Sequence, residues 1–306
     1  MLSIIIPAYN EEEVLEEFYR RLTGVLSKID LPYELVFVND GSRDRTLQLL
    51  EGLSQQDERV VVIDLSRNFG KEVAVSAGID FCKGDAVVII DADLQDPPEL
   101  IPALIKQWQN GYDNVYARRI SRQGESKLKK ATSYLFYRFI RGMTHIDIPA
   151  DTGDFRLLSR RAVDALKQLP ERNRFMKGLY AWIGYPAIAV DYRRDPRYAG
   201  ETKWNYWKLW NFALEGITSF TEVPLKLASY VGGFMAFAAF CYGAYMIIKT
   251  VIFGNDVPGY PSLLVAILFL GGIQLVFIGI LGEYLGRAFA EIKQRPLYFI
   301  NKIIKK

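Results

Sequence analysis

Apolar runs alternate with amphipathic stretches along the N-terminal part of the chain. Four of the runs are short and rich in Val, Ile and Leu, which is typical of strands buried on both faces. They are Leu2–Pro7, Glu34–Asn39, Val60–Asp64 and Ala86–Ile90. Helical patterns separate them, at Glu11–Lys28, Thr46–Ser54 and near Glu72–Phe81. The alternation predicts a doubly wound α/β fold, in which helices cover both faces of a mostly parallel sheet.

The C-terminal part has a different pattern, because charge nearly vanishes over Leu227–Ile248 and again over Val257–Gly282. Each stretch exceeds the roughly 20 apolar residues that a helix needs to cross a bilayer. Two such stretches in succession favour a membrane hairpin over two buried core helices. The sequence therefore predicts two transmembrane helices, at about residues 227–250 and 261–284.

Basic residues predict the orientation of this hairpin. The connector at residues 254–261 contains no Lys or Arg, whereas the chain at the end of the second span and beyond it is rich in both. These residues are Arg287, Lys293, Arg295, Lys302, Lys305 and Lys306. The positive-inside rule then places the N-terminal part and the C-terminal tail in the cytoplasm. We expect no export of the first domain, because the N-terminus lacks the features of a signal peptide.

Four regions follow from this pattern. They are a cytoplasmic domain at 1–202, an interfacial amphipathic helix at 203–224, the hairpin at 225–287 and a basic cytoplasmic tail at 288–306. Lys130–Arg141 and Lys203–Phe220 combine aromatic with basic residues, which favours helices at the level of the lipid headgroups. Ordinary packing against the sheet is the alternative for both.

Composition narrows the class of protein further. The 306 residues are 50% hydrophobic, enough for a sizeable core, and the formal net charge is +3. The two cysteines, Cys82 and Cys241, fall in different regions, so neither a disulfide framework nor a zinc site is expected. Neither a G-x-G-x-x-G nor a G-x-x-x-x-G-K-S loop occurs, which argues against a dinucleotide site or a P-loop.

An acidic turn, Asp91-Ala92-Asp93-Leu94-Gln95-Asp96, follows the fourth predicted strand. Open α/β sheets bind ligands at the carboxyl ends of their strands. Mg²⁺ and Mn²⁺ prefer oxygen ligands, usually one or two carboxylates together with substrate phosphates. Asp91, Asp93 and the carbonyl of Gln95 are therefore predicted to hold a metal-bound diphosphate. The alternative is a solvated turn before a helix, because short acidic motifs are common.

Polar motifs also follow the other three strands. They are PAYNE at residues 7–11, NDGS at 39–42 and SRNFGK at 66–71. A nucleotide at this edge would stack on Tyr9, donate hydrogen bonds from its base to Asp40 and pair its phosphates with Lys71. Each residue type also has a local explanation: Asn10 as a helix cap, Asp40 in turn chemistry and Lys71 as a solvated surface charge.

These motifs resemble those of the bacterial polyprenyl-phosphate glycosyltransferases of glycosyltransferase family 2. The resemblance extends over nearly the whole chain and rests on the order and joint presence of eight motifs. They are PAYNEEE, VNDGSRD, SRNFGKE, DADLQDPPE, TGDFRL, ERNRFMKG, GETKWNYWKLWN and the closing LGEYLGR. Bactoprenol glucosyl transferases are the most similar group, and dolichyl-phosphate mannose synthases are similar more distantly.

The resemblance implies a GT-A fold and an inverting transfer of a hexose from a nucleotide sugar to a lipid phosphate. Asp154 matches the position usually proposed as the catalytic base. The other matching positions are Pro7, Tyr9, Glu11 and Asp40 for the nucleotide, Asp93 and Gln95 for the metal, and Asp91 beside ribose and metal. A phosphomonoester has a second pKa near about 6 and is largely ionised at neutral pH. Whether Asp154 takes a proton or orients the acceptor therefore stays open.

An anionic acceptor that approaches a diphosphate requires cations beyond the metal. The candidates are Arg118 and Arg119 after a predicted strand at Asn114–Ala117, and Arg194, Arg197 and Lys203. Of these, Arg118, Arg197 and Lys203 are predicted to bind the acceptor phosphate, since the planar fork of arginine can hold two phosphate oxygens. The alternative is that several of them contact anionic lipid headgroups.

The resemblance favours UDP-glucose as donor, undecaprenyl phosphate as acceptor, Mg²⁺ or Mn²⁺ as cofactor, and a homotetramer in the bacterial cytoplasmic membrane. The product would serve the modification of a cell-surface glycan such as lipopolysaccharide. GDP-mannose or another UDP-sugar is an alternative donor, because epimers differ only in the direction of one hydroxyl. Two different classes of protein also stay open, a processive polysaccharide synthase and a non-enzymatic membrane subunit. Against a processive synthase, the chain lacks a Gln-x-x-Arg-Trp element to hold a growing glycan. Against a non-enzymatic subunit, such a protein would not require Asp91, Asp93 and Gln95.

Overall fold

The structure, a computed structural model, describes residues 1–119, 152–169, 171–172, 174–192, 221, 223–253 and 259–306. The chain divides into two units. The first contains the described residues up to Tyr192 together with Gln294–Lys306, and the second contains those from Thr221 to Lys293. Residues 130–141 and 203–220 of the predicted interfacial helices lie outside the described residues, as do Arg194 and Arg197.

The first unit is built on an eight-stranded sheet in its described residues. The strands are β1 (Leu2–Ala8), β2 (Tyr33–Asn39), β3 (Val60–Leu65), β4 (Ala86–Ile89), β5 (Asn114–Arg119), β6 (Thr152–Ser159), β7 (Ala187–Tyr192) and β8 (Ile300–Ile304). Their order across the sheet is β7-β5-β6-β4-β1-β2-β3-β8. β6 and β8 run antiparallel to their neighbours, and the other six strands share one direction. The predicted mostly parallel sheet is confirmed.

Helices lie on both faces of this sheet, as the alternating pattern predicted. They are α1 (Leu15–Leu26), α2 (Thr46–Gln56), α3 (Lys71–Phe81), α4 (Ile101–Gln109), α5 (Arg160–Lys167) and α6 (Met176–Trp182). In β2, Leu35 and Phe37 belong to the core cluster that includes residues of α1 and α4. Val36 and Val38 belong to a second cluster, which includes residues of α3. Because successive side chains of a strand point to opposite faces, a strand buried on both sides needs a continuous apolar run.

Helix α3 packs closely against β1 at Gly78. A Cβ atom added at Gly78 would lie 2.3 Å from Cγ2 of Ile5, so only glycine fits at this point of the helix. The small residue therefore sets the distance between α3 and the sheet. It also helps to determine where Lys71, the first residue of α3, is placed.

Helix α1 begins at Leu15 rather than at Glu11, and Asn10 does not cap it. Asn10 has a positive φ of 54°, and its Oδ1 accepts the N–H of Arg43 at 2.8 Å. The predicted capping role was wrong, because the side chain of Asn10 bonds a loop from elsewhere in the sequence.

The last residues of the chain, predicted as a basic tail, contain a strand. Helix α8 (Tyr260–Lys293) continues beyond residue 287, and β8 then forms the edge of the sheet beside β3. Charged residues such as Lys302 suit an edge strand, because they discourage pairing with another chain. Residues 294–306 are therefore part of the first unit. The basic residues of this segment made its short strand difficult to predict.

The second unit contains helix α7 (Val223–Phe253) and helix α8, of 31 and 34 residues. Large apolar side chains on both are extensively exposed, for example Phe240 at 75% and Ile292 at 77%. Both helices are long and apolar enough to cross a membrane by length and composition. The predicted spans at about 227–250 and 261–284 fall within them.

Candidate functional site

The loops that follow β1 and β2 are hydrogen-bonded to each other at the carboxyl ends of the parallel strands. The N–H of Asn10 donates to Oγ of Ser42 at 3.1 Å, and the N–H of Arg43 donates to Oδ1 of Asn10 at 2.8 Å. The N–H of Glu11 donates to Oγ1 of Thr46 at 2.9 Å. The structure thus brings the motifs at residues 7–11 and 39–42 together, as their positions at strand ends predicted.

Pro7 and Tyr9 belong to the same edge. Pro7 lies in β1 opposite Val38 of β2, and Tyr9 follows the strand; both are partly buried. Tyr9 is therefore accessible for stacking, as a nucleotide site would require.

Asp40 connects the loop after β2 to the loop after β3. Its two carboxylate oxygens accept the N–H groups of Phe69 and Gly70 at 2.7 and 2.9 Å. Burial raises the pKa of Asp40, and the two N–H donors counter that rise only in part. Gly41 has a φ of +64°, and a Cβ there would lie 2.4 Å from the carbonyl carbon of Arg67. Asp40 thus stabilises the loop before α3. Its position in a turn motif did not predict this structural role.

The acidic turn after β4 is held in a defined conformation rather than freely solvated. Oδ1 of Asp93 accepts the N–H of Gln95 at 3.1 Å, and Leu94 adopts a left-handed φ of 58° with its side chain in the core. Gln95 and Asp96 are buried, with exposures of 7% and 2%. Asp96 was not predicted as a site residue, although it ends the same acidic motif.

Lys71 joins two carboxylates from different strand ends. Its Nζ lies 2.7 Å from Oδ2 of Asp91, which follows β4, and 2.6 Å from Oδ2 of Asp154 on β6. Asp154 is mostly buried, and its Oδ1 has no hydrogen-bond partner among the described residues. The sequence predicted roles for all three residues but not that one ammonium group would contact both acids.

The acidic groups around this contact have shifted pKa values. Burial, together with Asp154 and Asp96, raises the pKa of Asp91 to about 6 despite the opposing effect of Lys71. Burial also raises the pKa of Glu72 to about 8, with Asp154 adding to the shift. Burial alone would raise the pKa of Asp154 too, but Lys71 and Lys177 outweigh it and hold that pKa below its usual range. A cation brought close to Asp91 would favour the ionised form of its carboxylate.

The donor set fits a hard divalent cation. The described residues contain no group of three or more His, Cys, Asp or Glu side chains placed to hold a metal ion by themselves. Asp91, Asp93 and Gln95 nevertheless offer oxygen atoms within a single turn after β4. Mg²⁺ is usually bound in this way, by one or two carboxylates with substrate phosphates completing its ligands.

Two neighbouring arginines of β5 have different surroundings, because adjacent residues of a strand face opposite sides. Arg118 forms an exposed ion pair with Asp191, at 2.6 Å from Nε to Oδ1. The Nε of Arg119 donates to the hydroxyl of Tyr192 at 3.1 Å, and its Nη2 lies 3.9 Å from Oδ1 of Asp96. The structure thus places Arg119 near the acidic turn, and it pairs Arg118, the predicted ligand of the acceptor phosphate, with Asp191.

A buried arginine lies beside Asp154. Arg156 is 4% exposed, its Nη2 donates to the carbonyl of Gly153 at 3.1 Å, and its guanidinium stacks 3.7 Å from the ring centre of Tyr180. The two residues line a small cavity of about 100 Å³ together with Lys177. Arg156 was not predicted as a site residue, although it lies in the TGDFRL motif.

Comparison with known protein families gives two matches. Residues 3–167, more than half of the chain, match glycosyl transferase family 2, and residues 223–288 match the GtrB C-terminal hairpin. The first match spans the strand-end loops and Asp154, and the second spans α7 and most of α8.

Individual relatives are similar over nearly their whole length. An uncharacterized glycosyltransferase of Synechocystis sp. is 55% identical over 302 residues, which are 99% of this chain and 95% of the relative. A bactoprenol glucosyl transferase of Shigella phage SfII is 50% identical over 301 residues, 98% and 97% of the two chains.

Among solved structures, glucosyl-3-phosphoglycerate synthase from Mycobacterium tuberculosis, in complex with Mn²⁺, UDP-glucose and phosphoglyceric acid, is 19% identical with a TM-score of 0.49. The similarity covers 71% of this chain and 77% of that one.

Proposed function

Since the chain belongs to glycosyltransferase family 2 and is a glycosyltransferase with the GT-A fold, we propose that it transfers glucose from UDP-glucose to undecaprenyl phosphate, with inversion at the anomeric carbon. The observation that carries this proposal is the contact of Lys71 with both Asp91 and Asp154 at one edge of the sheet. A cation between two acids at strand ends suits a reaction in which two phosphates must meet. The relative named bactoprenol glucosyl transferase supports the choice of acceptor and sugar.

The donor would occupy the loops after β1, β2 and β3. Tyr9 is accessible for stacking of the base, and Asp40 keeps lone pairs for the base although it holds the loop before α3. We assign the same donor to Pro7, Asn10, Glu11 and Lys71, with the ammonium of Lys71 directed to the diphosphate. A Mg²⁺ or Mn²⁺ ion held by Asp91, Asp93 and Gln95 would neutralise the charge that develops on the leaving diphosphate.

In the proposed reaction an oxygen of the lipid phosphate attacks C1 of the glucosyl group from the side opposite UDP. The new bond joins C1 to the lipid phosphate, the bond from C1 to the diphosphate oxygen breaks, and its electron pair leaves with UDP. A largely ionised phosphate needs no strong base. The lowered pKa of Asp154 makes it a weak base, so we assign it the orientation of Lys71 and of the reacting groups.

The acceptor would reach this site from the membrane. We propose that α7 and α8 span the bilayer, with residues 1–202 and the C-terminus in the cytoplasm, as the distribution of basic residues predicts. Arg197 and Lys203 remain proposed ligands of the lipid phosphate. A homo-oligomer, and a tetramer in particular, remains a proposal from the family resemblance.

A transfer assay with the full-length protein tests the proposed function. Radiolabelled UDP-glucose, UDP-galactose and GDP-mannose are each incubated with undecaprenyl phosphate and Mg²⁺ or Mn²⁺ in detergent. We expect chloroform-soluble label from UDP-glucose, and none when the divalent cation is removed by EDTA. Label from another donor instead would overturn the choice of glucose, insoluble polymer would indicate a processive synthase, and no turnover with any donor would contradict transferase activity.

The two neighbouring arginines of β5 provide a further prediction. Arg119→Ala is expected to lower kcat/KM by about tenfold, because Arg119 bonds Tyr192 and lies near Asp96 beneath the acidic turn. Arg118→Ala is expected to stay within about twofold of wild type, since exposed ion pairs contribute little. Steady-state kinetics of the two variants measure the difference. A larger loss in Arg118→Ala would instead support the predicted role of Arg118 as a ligand of the acceptor phosphate.

A further inference from the structure

A hydrogen bond connects the segment after α8 to the interior of the sheet. The pairing of β8 with β3 shifts register, because Asp64 lies opposite Lys302 whereas Leu65 lies opposite Ile300. Asn301 is therefore the extra residue of a β-bulge, a feature that re-aims a side chain. Its Nδ2 donates to Oδ2 of Asp64 at 2.8 Å.

Asp64 extends this connection inwards. It is 3% exposed, and its other oxygen accepts the side-chain N–H of Asn39 at 2.7 Å. Asn39 is buried at the end of β2, and its Oδ1 accepts the N–H of Ser42 at 3.3 Å. Buried polar groups are stable only when they are hydrogen-bonded. Asn301 and Asn39 therefore fix Asp64 together, one through each oxygen.

This path of hydrogen bonds ends at the turn of residues 40–42, which contacts the loops after β1 and β3. Asp40 accepts the N–H groups of Phe69 and Gly70, and Ser42 accepts the N–H of Asn10. A shift of this turn would therefore move the loops after β1 and β3 as well.

We propose that Asn301 is a positioning residue of the nucleotide-sugar site, which acts through Asp64 and Asn39 on the turn at residues 40–42. The segment after α8 thus helps to fix the loops that we assign to the nucleotide sugar. The inference rests on the proposed function of that site. A second contact supports it: the hydroxyl of Tyr298 donates to Oδ2 of Asp80 at 2.7 Å, on the helix that begins with the proposed phosphate ligand Lys71.

Nucleotide affinity and kinetics of the full-length protein in detergent test this role. Asn301→Leu removes the donor to Asp64, and Asn301→Asp places a second carboxylate against it. In both variants we expect the Kd for UDP with Mn²⁺, measured by calorimetry, and the KM for UDP-glucose to rise about three- to tenfold, with kcat within about twofold. Lys306→Ala is the matched control, because it removes an exposed contact of the same C-terminal segment with Glu58 and should leave both constants unchanged.

An exchanged pair separates positioning from general stability. Asp64→Asn combined with Asn301→Asp again places an amide donor opposite a carboxylate acceptor and keeps the net charge. We expect this double variant to return the Kd for UDP to within about twofold of wild type. An unchanged Kd for UDP in Asn301→Leu, or no recovery in the exchanged pair, would overturn the positioning role while wild-type transfer continues. A wild-type protein that binds UDP but forms no lipid-linked sugar would instead overturn the proposed reaction alone.

Discussion

Asp154→Asn is expected to lower kcat for lipid-linked product by about a hundred- to a thousandfold, the range seen when one preorganised polar group is removed from an active site. The carboxylate contacts Lys71 at 2.6 Å and keeps an oxygen without a partner among the described residues. An amide of the same shape cannot hold the ammonium group as an anion does. Lys71 keeps Asp91, so we expect the fold and the Kd for UDP to change little.

The pH profile distinguishes orientation from proton abstraction. The lowered pKa of Asp154 keeps its carboxylate ionised throughout pH 5–8. The groups that titrate near pH 6 are then the lipid phosphate, with a second pKa near about 6, and Asp91, whose pKa is raised to about 6. If Asp154 orients, kcat/KM of both wild type and Asp154→Asn should fall as pH drops through about 6. A wild-type rate that stays level below that pH, with a fall only in the variant, would show that Asp154 removes the proton of the monoanion.

Asp191→Asn is the matched control for this substitution. Asp191 is an exposed aspartate that pairs with Arg118 on a neighbouring part of the sheet. Its variant should retain near wild-type kcat. A loss equal to that of Asp154→Asn would mean that the assay reports general damage to the sheet.

Asp93→Asn is the second substitution with a large expected effect, a loss of about a hundredfold in turnover. Oδ1 of Asp93 already accepts the N–H of Gln95, and an amide oxygen can keep that bond, so the turn should survive. What the variant loses is a charged oxygen for the metal. We expect weaker Mn²⁺ binding in the presence of UDP, measured by electron paramagnetic resonance, in parallel with the loss of turnover.

Glu99→Gln provides the comparison for Asp93→Asn. Glu99 lies shortly after the acidic turn but pairs with Arg21 at the surface. Its variant should bind Mn²⁺ as the wild type does. Near-normal turnover and Mn²⁺ affinity in Asp93→Asn would contradict the metal site and with it the assignment of the acidic turn.

Local patterns in the sequence predicted the strands well, because a strand buried on both faces must be continuously apolar. β1 to β4 begin and end within a residue or so of the predicted runs. The two long helices followed from the same kind of information, since charge is absent over more residues than a bilayer requires. The acidic turn was found because it follows such a run directly.

Local patterns failed or gave no information where a residue's partner lies far away in the sequence. Asn10 has the composition and position of a helix cap, yet its side chain bonds the loop at Arg43. Arg118 and Arg119 are adjacent and chemically identical, and only the pairing of β5 with β7 places one beside Asp191 and the other beside Tyr192. β8 has only five residues, with Asn301 and Lys302 between isoleucines, so its pattern gave no clear signal of a strand.

The sequence by itself determined the alternation of strands and helices, the apolar hairpin and the presence of polar motifs at strand ends, because these depend on neighbouring residues and their periodicity. Only the tertiary structure decided that Lys71 contacts both Asp91 and Asp154, and that Asn301 reaches Asp64. Those contacts join segments separated by 20 to 237 positions in the chain. The order of strands in the sheet brings them together, and no local pattern encodes that order.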